Sequence, residues 1–384
     1  MEKKIIFIFL GGYLPAKKYG GPVTSIVNLV DNLKHKYDFY IVSNNHELDE
    51  FGVLDGINSG WNDVRGARVL YLPEKQFNTE NFINILKDFR VSLVYLSSVF
   101  YYKMNLPAVK AANILNIPIL LAPRGETCNG ALEIKKLKKT LYLIFIKIFN
   151  YFKGVAFHTT SIEEKESIID IFNVNEKKIF LLPNMHGAKL EKKEFNKKKN
   201  SLRIVFISRI QEKKNLLYAI DTVSKLSGDI IFDIYGPIEQ LAYWEKCEKE
   251  INNLKEKKNI TINYRGSLEP NTSKEIFIQY DCFFFPTLSE NYGHVIAEAL
   301  LSNCPCVISK DTTPWNDLHE RGGFIAPLDN QKEFIKILNN IAEMNIEEYK
   351  DLCDLTNQYA EQTFEHKELA NDYDTMFNNI MECK

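Results

Sequence analysis

The sequence predicts an α/β protein with two doubly wound domains, each containing a parallel sheet covered by helices. Short β-branched and aromatic runs alternate with helical patterns over nearly all 384 residues, and the runs are apolar throughout. Continuous apolar strands are typical of parallel sheets that are buried on both faces. A chain of 384 residues is also long for one core, which favours two domains.

Composition restricts the class of protein further. The chain is 45% hydrophobic and 26% charged, as in ordinary globular proteins. Its formal net charge of -2 argues neither for nor against nucleic acid, and we expect no such partner.

The apolar run after the first lysines is only six residues long, which favours a buried first strand over a signal peptide. Seven cysteines without a C-x-x-C pair are expected to be core thiols in a reducing cytoplasm.

The strands can be placed in order along the chain. The first half contains "KIIFIFL", "DFYIV", "ARVLYL", "SLVYLS", "IPILLA", "GVAFHT" and "KIFLL", and the second contains "LRIVFIS", "DIIFDIYG", "ITINYRG", "DCFFFPT" and "CPCVIS". A lysine-rich segment between the halves is nearly free of aliphatic residues, which is typical of a solvated linker. We therefore predict an N-terminal domain (1–185), a linker (186–201), a C-terminal domain (202–345) and C-terminal helices (346–384) that pack back on the first domain.

The first strand is followed by glycines rather than by a common nucleotide motif. The chain has no G-x-G-x-x-G after this strand, no G-x-x-x-x-G-K-[ST] and no H-E-x-x-H, which disfavours a dinucleotide oxidoreductase, a P-loop NTPase and a zinc hydrolase. In "KYGGPVTS", Gly20 and Gly21 precede Pro22, a residue suited to the first turn of a helix. Backbone amides there could approach a phosphate. A turn that merely contains glycines explains the pattern equally well.

Two cations follow the first strand of the second domain. In "LRIVFISRIQEKKNLLYAI" the strand ends at Ser208 and a helix begins near Asn215, so Arg209 and Lys214 lie in the loop between them. Ligands of doubly wound sheets bind at the carboxyl ends of strands, and two fixed cations there could neutralise a diphosphate. The alternative is ordinary surface charge.

Two glutamates stand near a later helix. In "SENYGHVIAEALL", Glu290 lies in a loop and Glu298 lies inside the apolar helix. A buried carboxylate is costly unless it is paired or hydrogen-bonded. A ribose diol would satisfy Glu298, Glu290 could accept from sugar hydroxyls, and the amides of residues 291–294 would face phosphate oxygens. Alternatively, Glu298 pairs with an Arg or Lys and Glu290 only caps the helix.

Together these segments resemble glycosyltransferase family 4, a group of retaining transferases with the GT-B fold. "SENYGHVIAEALLSNCPCVIS" is similar to the family pattern of two glutamates separated by seven residues, and "SRIQEKKNL" to its R-x-x-x-x-K loop. "IYGP" and "RGSL" fall at its other donor-domain loops. "KYGGP", "LAPRGE" and "HTTSIEE" resemble the acceptor-domain loops of bacterial members that build surface polysaccharides. The resemblance covers nearly the whole chain.

The resemblance implies a GT-B fold, in which two Rossmann-like domains face each other across a cleft. It implies catalytic roles for Arg209, Lys214 and Glu290. It implies donor-binding roles for Gly20, Gly21, Gly236, Asn291, Tyr292, Gly293, His294 and Glu298. These cations and helix ends would take the place of a metal, so no metal and no cofactor are expected. The acceptor-side candidates are Arg124, Glu126 and His158.

Three acceptor-side features depart from the family pattern or stay open. Arg124, with Glu126 close by, stands where many members carry a histidine. "LLPNMH" lacks the glycine that often follows Pro-Asn, so Asn184 and Met185 are expected to turn differently. His158 is either catalytic or a hydrogen-bonded histidine at the end of a strand.

The activity that the resemblance implies is transfer of a sugar from a nucleotide-diphosphate donor to a hydroxyl group, with retention of anomeric configuration. A UDP-sugar is the expected donor, and a saccharide or lipid-linked saccharide of polysaccharide or glycan biosynthesis is the expected acceptor. The alternatives are a nucleotide-sugar epimerase or hydrolase of GT-B-like fold, and a non-catalytic nucleotide-sugar-binding subunit.

A basic and apolar segment concerns the location of the protein. Residues 133–154, "EIKKLKKTLYLIFIKIFNYFKG", combine four lysines in their first turns with a dense aliphatic and aromatic pattern. Such a helix could lie on an anionic membrane surface, or it could be a core helix with a solvated basic end. We expect a cytoplasmic protein that contacts the inner face of the cell membrane peripherally.

Overall fold

The chain forms two compact units, and each has the predicted α/β character. The computed structural model describes residues 3–50, 52–128, 132, 136–187, 195–268, 272–319, 321–364 and 366–382. The first unit comprises Met1–Gly187 and His366–Lys384, and the second comprises Ala188–Glu365. In both, strands and helices alternate along the chain.

The first unit is built on an eight-stranded sheet with the order β3-β4-β2-β1-β5-β6-β7-β8. Only the β3–β4 pair is antiparallel. The strands are β1 (Lys4–Leu10), β2 (Tyr37–Asn44), β3 (Trp61–Val64), β4 (Ala67–Leu72), β5 (Val91–Ser97), β6 (Ile119–Ala122), β7 (Ala156–Thr159) and β8 (Ile179–Leu181). The helices that follow these strands are α1 (Gly21–Leu33), α2 (Thr79–Lys87), α3 (Tyr102–Ile114), α4 (Lys136–Ile148) and α5 (Ile162–Phe172).

Strand β1 explains why the predicted strands are apolar throughout. Ile6 and Ile8 are fully buried in the hydrophobic cluster on one face of the sheet. Phe7 and Phe9 are fully buried in the cluster on the other face. Successive side chains of a strand point to opposite faces, so a strand covered on both sides needs apolar residues at every position.

The second unit contains a six-stranded parallel sheet with the order β11-β10-β9-β12-β13-β14. Its strands are β9 (Ser201–Ile207), β10 (Asp229–Tyr235), β11 (Ile260–Tyr264), β12 (Cys282–Phe285), β13 (Cys306–Ser309) and β14 (Gly323–Ala326). Its helices are α6 (Leu216–Val223), α7 (Leu241–Asn253), α8 (Ser273–Phe277), α9 (His294–Leu301), α10 (Gln331–Glu343) and α11 (Ile346–Thr363).

Each sheet has a point where its strand order changes direction. In the first unit this point lies between β1 and β5, and in the second it lies between β9 and β12. Loops that leave neighbouring strands on opposite faces separate at such a point and open a crevice, where doubly wound folds bind their ligands. The loops that the sequence singled out after β1, β9 and β12 therefore lie at these switch points.

The final segment differs from the prediction that residues 346–384 pack as a whole on the first domain. Helix α11 belongs to the second unit, and only α12 (His366–Glu382) joins the first. Phe377 of α12 is fully buried there, and its ring lies 5.5 Å from that of Tyr37.

The division between the units falls inside the predicted linker, of which residues 188–194 lie outside the described residues. The end of that segment is not solvated as expected. Lys197 is only 6% exposed, and its Nζ donates to the backbone oxygens of Ser201 at 2.7 Å and Ala342 at 2.9 Å. This lysine is buried because backbone carbonyl oxygens of the second unit satisfy its ammonium group.

A helix that crosses a membrane needs about 20 predominantly apolar residues. Within the described residues, none has the length and apolar character that this requires.

Candidate functional site

The loops after β9 and β12 meet through an ion pair. Lys214 ends a short 3-10 helix (Glu212–Lys214) that follows β9, and its Nζ contacts Oε1 of Glu290 in the loop after β12. Lys214 is only 8% exposed. Burial lowers the pKa of Lys214, and the neighbouring Glu290 carboxylate acts in the opposite direction. Ordinary surface charge therefore does not describe Lys214.

Hydrogen bonds to backbone oxygens fix these two loops against each other. Asn215, in the left-handed conformation with φ 59°, donates from Nδ2 to the oxygen of Pro286 at 3.0 Å. The Leu288 amide donates to the Lys213 oxygen at 2.9 Å. The Glu290 amide donates to the oxygen of Thr312, beyond β13, at 2.7 Å. The carboxylate of Glu290 is thus positioned by three segments of chain.

Arg209 lies in the predicted loop but in a different environment. Its Nη1 is 2.9 Å from Oε2 of Glu239, and both side chains are about two-fifths exposed, at 39% and 42%. An exposed pair of this kind contributes little to stability, so an incoming anion could replace Glu239 at small cost. The surface-charge alternative stays open for Arg209.

Gly236 follows β10 and packs directly against the loop that carries Arg209. Its φ is 136°, and a Cβ at this position would lie 1.9 Å from the backbone oxygen of Ser208. Its amide donates to the Gly266 oxygen at 2.9 Å. Only glycine fits this close approach.

Helix α9 begins in the loop that contains Asn291 and Tyr292. Gly293 is its N-cap with φ 74°, no side chain caps the helix, and its first turn contains no acidic residue. The indole Nε1 of Trp315 holds the loop by donating to the Tyr292 oxygen at 2.6 Å, and the ring of His294 lies 4.9 Å from that of Tyr292. The partial positive charge of this helix end therefore has no acidic side chain of its own to neutralise it.

Glu298 has the partners that its apolar surroundings require. Its Oε2 accepts a hydrogen bond from the Ser273 hydroxyl at 2.7 Å. Burial raises the pKa of Glu298, and the Ser273 hydrogen bond and the charge of Lys274 oppose the rise. Glu298 thus lies in the field of a lysine, as one of the two interpretations expected, while its part in binding a ribose stays a prediction.

Gly20 and Gly21 lie in the first unit and start α1 as predicted. Gly20 is the N-cap with φ 68°, Pro22 occupies the first turn, and this turn has no side-chain cap and no acidic residue. These features suit an approach of phosphate to the backbone amides. Their part in binding a donor stays a prediction.

Arg124 connects two of the predicted acceptor-side loops. Its Nη1 donates to Oδ1 of Asn184, and its Nη2 donates to the Tyr95 hydroxyl at 3.2 Å. The segment with Asn184 is in turn fixed to α1, because Asn28 donates to the oxygen of Met185 at 3.1 Å. Met185 is 2% exposed in the core, so this segment packs into the first unit, where the family pattern often has a glycine turn.

Glu126, in the loop after β6, lies against the segment that follows β5 rather than in open solvent. Its carboxylate accepts from the Ser98 hydroxyl at 2.8 Å and from the amides of Val99 at 2.7 Å and Phe100 at 3.2 Å. Burial raises the pKa of Glu126, and these hydrogen bonds oppose the rise. Glu126 therefore braces the chain between β5 and α3.

His158 is buried in β7 with hydrogen bonds on both ring nitrogens. Nδ1 lies 2.7 Å from the Tyr95 hydroxyl, and Nε2 lies 3.0 Å from the Leu182 oxygen and 3.2 Å from the Tyr373 hydroxyl. Burial, together with the charge of Arg124, lowers the pKa of His158 to about 3. The geometry is that of a hydrogen-bonded histidine inside a strand, which was one of the two alternatives.

The sequence did not single out several residues that build these sites. They are Tyr95, Glu164, Ser273 and Trp315. Glu164 stands in the quoted "HTTSIEE" run and is fully buried, where it accepts from the amides of Gly125 and Thr160. Its place three residues after an N-capping serine, Ser161, was the available signal. Neither Ser273 nor Trp315 stands in a motif.

Protein-bound metal ions are usually held by clustered His, Cys, Asp or Glu side chains. In the part of the chain that the structure describes, no group of three or more His, Cys, Asp or Glu side chains could hold a metal ion. The expectation of a metal-independent site stays a prediction.

The second unit matches a known protein family by sequence. Residues 188–362, nearly the whole second unit, match the family model described as glycosyl transferases group 1. Family 4 within that group stays a prediction. No curated protein matches the chain by sequence.

Solved structures resemble the chain over its full length. Anabaena Alr3699/HepE, crystallised with UDP and glucose, has a TM-score of 0.72 at 13% identity, and the match covers 98% of this chain and 100% of the HepE chain. A glycosyltransferase from Rickettsia africae has a TM-score of 0.70 at 14% identity and covers 100% of both chains. Sucrose-phosphate synthase from Thermosynechococcus elongatus has a TM-score of 0.68 at 13% identity, again with 100% of both chains. The predicted GT-B fold with two Rossmann-like domains is confirmed.

Proposed function

We propose that this protein is a retaining glycosyltransferase that moves a sugar from a UDP-sugar to a hydroxyl of a saccharide or lipid-linked saccharide. The observation that supports this most is the buried Lys214–Glu290 pair at the switch point of the second unit. Glu290 stands four residues before His294, where α9 begins without a side-chain cap. The match of this unit to glycosyl transferases group 1 and the UDP-glucose held by the similar HepE structure point to the same chemistry.

The leaving diphosphate accounts for the cations. Negative charge grows on it as the bond to the sugar breaks, so groups that bind it more tightly in the transition state lower the barrier. In the free protein, Glu290 neutralises Lys214. When the donor binds, Lys214 turns to a phosphate and Glu290 to a sugar hydroxyl, while Arg209 exchanges Glu239 for the diphosphate. The amides at the start of α9 add their partial charge.

Glu298 supplies the ribose site in this proposal. Burial raises its pKa, because the Ser273 hydroxyl and the charge of Lys274 replace only part of the water that the ionised carboxylate has lost. A ribose diol would donate two hydrogen bonds to it and favour the charged form. Binding of the nucleoside would thereby supply the buried Glu298 carboxylate with hydrogen bonds.

The acceptor hydroxyl attacks the sugar on the face from which the diphosphate leaves. The new carbon–oxygen bond forms as the bond to the diphosphate breaks, and the hydroxyl proton passes to the departing diphosphate. The anomeric configuration is thereby retained without a protein nucleophile. Arg124 and Glu126 of the first unit are assigned to the acceptor side, and Gly20 and Gly21 to the diphosphate. Because cations and helix ends carry the phosphate charge, we expect turnover to be unaffected by chelators.

Thermal unfolding with UDP, GDP, ADP, CMP and their sugars tests the donor site. UDP and UDP-sugars should raise the melting temperature of the wild type by mass action. Glu298→Gln should weaken UDP binding about tenfold, because a charge-assisted hydrogen bond is worth about 1.5–3 kcal/mol. The control is Glu275→Gln, an exposed glutamate on α8 two residues from Ser273. Equal UDP binding by both variants would contradict the assignment of Glu298.

Product analysis then separates the activities. A transferase forms a new glycosidic bond only when an acceptor is present, whereas a hydrolase releases free sugar and an epimerase changes the donor. We expect the isolated chain to transfer. A protein that binds UDP-sugars and changes none of them in the presence of saccharide and lipid-linked acceptors would support a binding subunit instead.

A further inference from the structure

Helix α4 of the first unit is apolar on two opposite faces. Ile146 is 1% exposed, Tyr142 and Leu143 pack beside it on the core, and the Tyr142 hydroxyl donates to the Val99 oxygen at 3.0 Å. The opposite face points away from the protein and carries six large apolar side chains. They are Leu137 (74% exposed), Leu141 (59%), Ile144 (46%), Phe145 (41%), Ile148 (72%) and Phe149 (64%).

These six residues, here called the outer stripe, form a continuous surface. At about 100° per residue they fall within an arc of about 140°, and the Phe149 amide continues the helix by donating to the Phe145 oxygen at 3.1 Å. The described residues include 18 exposed large hydrophobic side chains, and a third of them lie in this one stripe. Single exposed apolar residues are normal, but a clustered patch marks an interaction surface. The core-helix alternative explains only the inner face.

The charges around the outer stripe have one sign. Residues 134–154 contain six lysines and no Asp or Glu. Lys138 and Lys147 are exposed on α4, and Lys153 follows it. Lysines that flank an exposed apolar stripe are the arrangement of helices that lie in the plane of an anionic membrane.

A basic cavity adjoins the carboxyl end of α4. It has a volume of about 720 Å³ and thirteen lining residues, which include Lys147, Lys153 and Lys178 but no Asp or Glu. The acidic side chain nearest in sequence to Lys178, Glu176, is paired with Lys165 at 3.2 Å. The cavity is thus suited to an anionic headgroup beside the stripe.

We propose that α4 docks the protein on the surface of an anionic lipid bilayer, with the outer stripe at the level of the acyl-chain boundary and the lysines against lipid phosphates. A helix of 13 residues is about 20 Å long, so it lies on the membrane and does not cross it. The bilayer is favoured over a second copy of the chain because two copies of this face would bring their lysines together, whereas anionic lipids complement them. Docking rests on the first unit alone and is independent of the proposed activity.

Co-sedimentation with vesicles tests the docking. The full chain should bind vesicles of equal parts phosphatidylglycerol and phosphatidylcholine, bind pure phosphatidylcholine more weakly, and lose affinity as salt is added. Leu141→Glu with Ile148→Glu should reduce partitioning at least about tenfold, because it places two charges in the apolar contact. The matched control, Ile114→Glu with Ile162→Glu, changes residues of the same unit that are 54% and 65% exposed, and should stay within about twofold of the wild type.

The lysines are tested in the same assay. Lys147→Gln with Lys153→Gln should weaken binding to the anionic vesicles and leave the phosphatidylcholine value unchanged, since each lysine near the surface contributes through lipid charge. Lys87→Gln with Lys110→Gln, two exposed lysines elsewhere in the first unit, serves as the control.

Three outcomes would overturn the proposal. The first is a folded wild type that does not bind the anionic vesicles. The second is an equal loss of vesicle binding in the stripe variant and its control. The third is a wild-type dimer, seen by light scattering, that the stripe substitutions dissociate while neither protein binds lipid. Stabilisation by UDP is measured on every variant. It reports the donor site of the second unit, so failure of docking and failure of the proposed activity are distinguished.

Discussion

At the scale of single residues, the Lys214–Glu290 pair combines a desolvated cation with a desolvated carboxylate. Taking both groups out of water costs several kcal/mol, which their attraction offsets only in part. Such a pair is a poor source of stability, but a phosphate could take the place of Glu290 at Lys214, and a hydroxyl group could take the place of Lys214 at Glu290. The arrangement is therefore better explained by a ligand than by folding.

Replacing Lys214 tests this directly. Lys214→Gln keeps a hydrogen-bond donor for Glu290 but removes the charge that stabilises the leaving diphosphate. We expect turnover to fall by about 10²–10³, measured as UDP release with acceptor present. The matched control is the neighbouring Lys213→Gln, whose backbone oxygen, not its side chain, contacts the loop after β12. A Lys214 variant within about threefold of the wild type would remove this lysine from the mechanism.

His158 makes a prediction about pH. Its pKa is about 3 in the folded protein against 6.5 as the ordinary value, so between these pH values the unfolded chain binds a proton that the native state does not. Stability of the first unit should fall as pH is lowered through this window, by up to about 1.4 kcal/mol per pH unit from this group.

Calorimetry of the wild type and His158→Gln measures that contribution. The variant should be less stable near neutral pH, because it loses the hydrogen bonds to Tyr95 and Leu182, and the difference should shrink as the pH falls. The exposed His35→Gln is the parallel control. Curves for wild type and His158→Gln that remain a constant distance apart would show that His158 binds a proton equally well in the folded and unfolded states, which would contradict the lowered pKa.

The sequence placed these side chains in the right loops but did not reveal their partners. Lys214 and Glu290 could be singled out because each follows an apolar strand. Glu298 could be singled out because a charge inside an apolar helix needs an explanation. Ser273, 25 positions from Glu298, carries no local pattern, and nothing in the Pro-Asn segment shows that Asn184 contacts Arg124, 60 positions away. Their contacts arise only from tertiary packing, which periodicity and motif spacing do not report.

At the scale of elements, α1 and α9 begin in the same way. Each starts after a glycine with positive φ, without a side-chain cap and without an acidic residue in its first turn. Asn345 caps α11 with its side chain, but α3, α6, α7 and α10 also begin without a side-chain cap, so α1 and α9 are set apart by their glycines and by their places in the sheets. Helix α1 follows the first strand of its sheet, and α9 follows a strand at the switch point of the other sheet. Backbone amides at these two helix starts are consistent with binding of an anion.

Gly236 sets the path of the loop that carries Arg209. In Gly236→Ala the new Cβ would meet the Ser208 oxygen at 1.9 Å, so the loop must move. We expect a clear loss of thermal stability and of UDP binding. Gly266→Ala is the matched control, because Gly266 also has a positive φ, 79°, but nothing lies within 4 Å of its Cβ position. It should cost only about 1–2 kcal/mol of backbone strain. Equal effects of the two changes would show that φ, and not the close approach, matters at Gly236.

At the scale of the whole molecule, the alternation of apolar strands and helices was enough to predict both Rossmann-like domains. Such a prediction works because a strand buried on both faces must be apolar at every position, which few other structures require. The route of the last segment was harder to predict. Helices α11 and α12 are both amphipathic, and nothing in their patterns tells which core each one covers.

The two final helices can be separated by mutation. Phe377→Ala in α12 should destabilise the first unit by about 3–5 kcal/mol, because Phe377 is fully buried against Tyr37 and Tyr95. Tyr349→Ala in α11, which is fully buried in the second unit, should have the reciprocal effect. Hydrogen exchange resolved by peptide measures both, with β5 and β12 as reporters. Exchange that increases equally in both units after either change would contradict independent cores.

The return of α12 to the first unit also fixes the order in which the domains can mature during synthesis. The second unit is one continuous stretch of chain and can complete its core as soon as α11 has left the ribosome. The first unit, although its strands emerge earlier, lacks Tyr373, Met376 and Phe377 until α12 follows. The half of the protein that is made first is therefore finished last. In the interval its sheet exposes the apolar surface that α12 will cover, which is the stage at which a nascent chain most needs protection from aggregation.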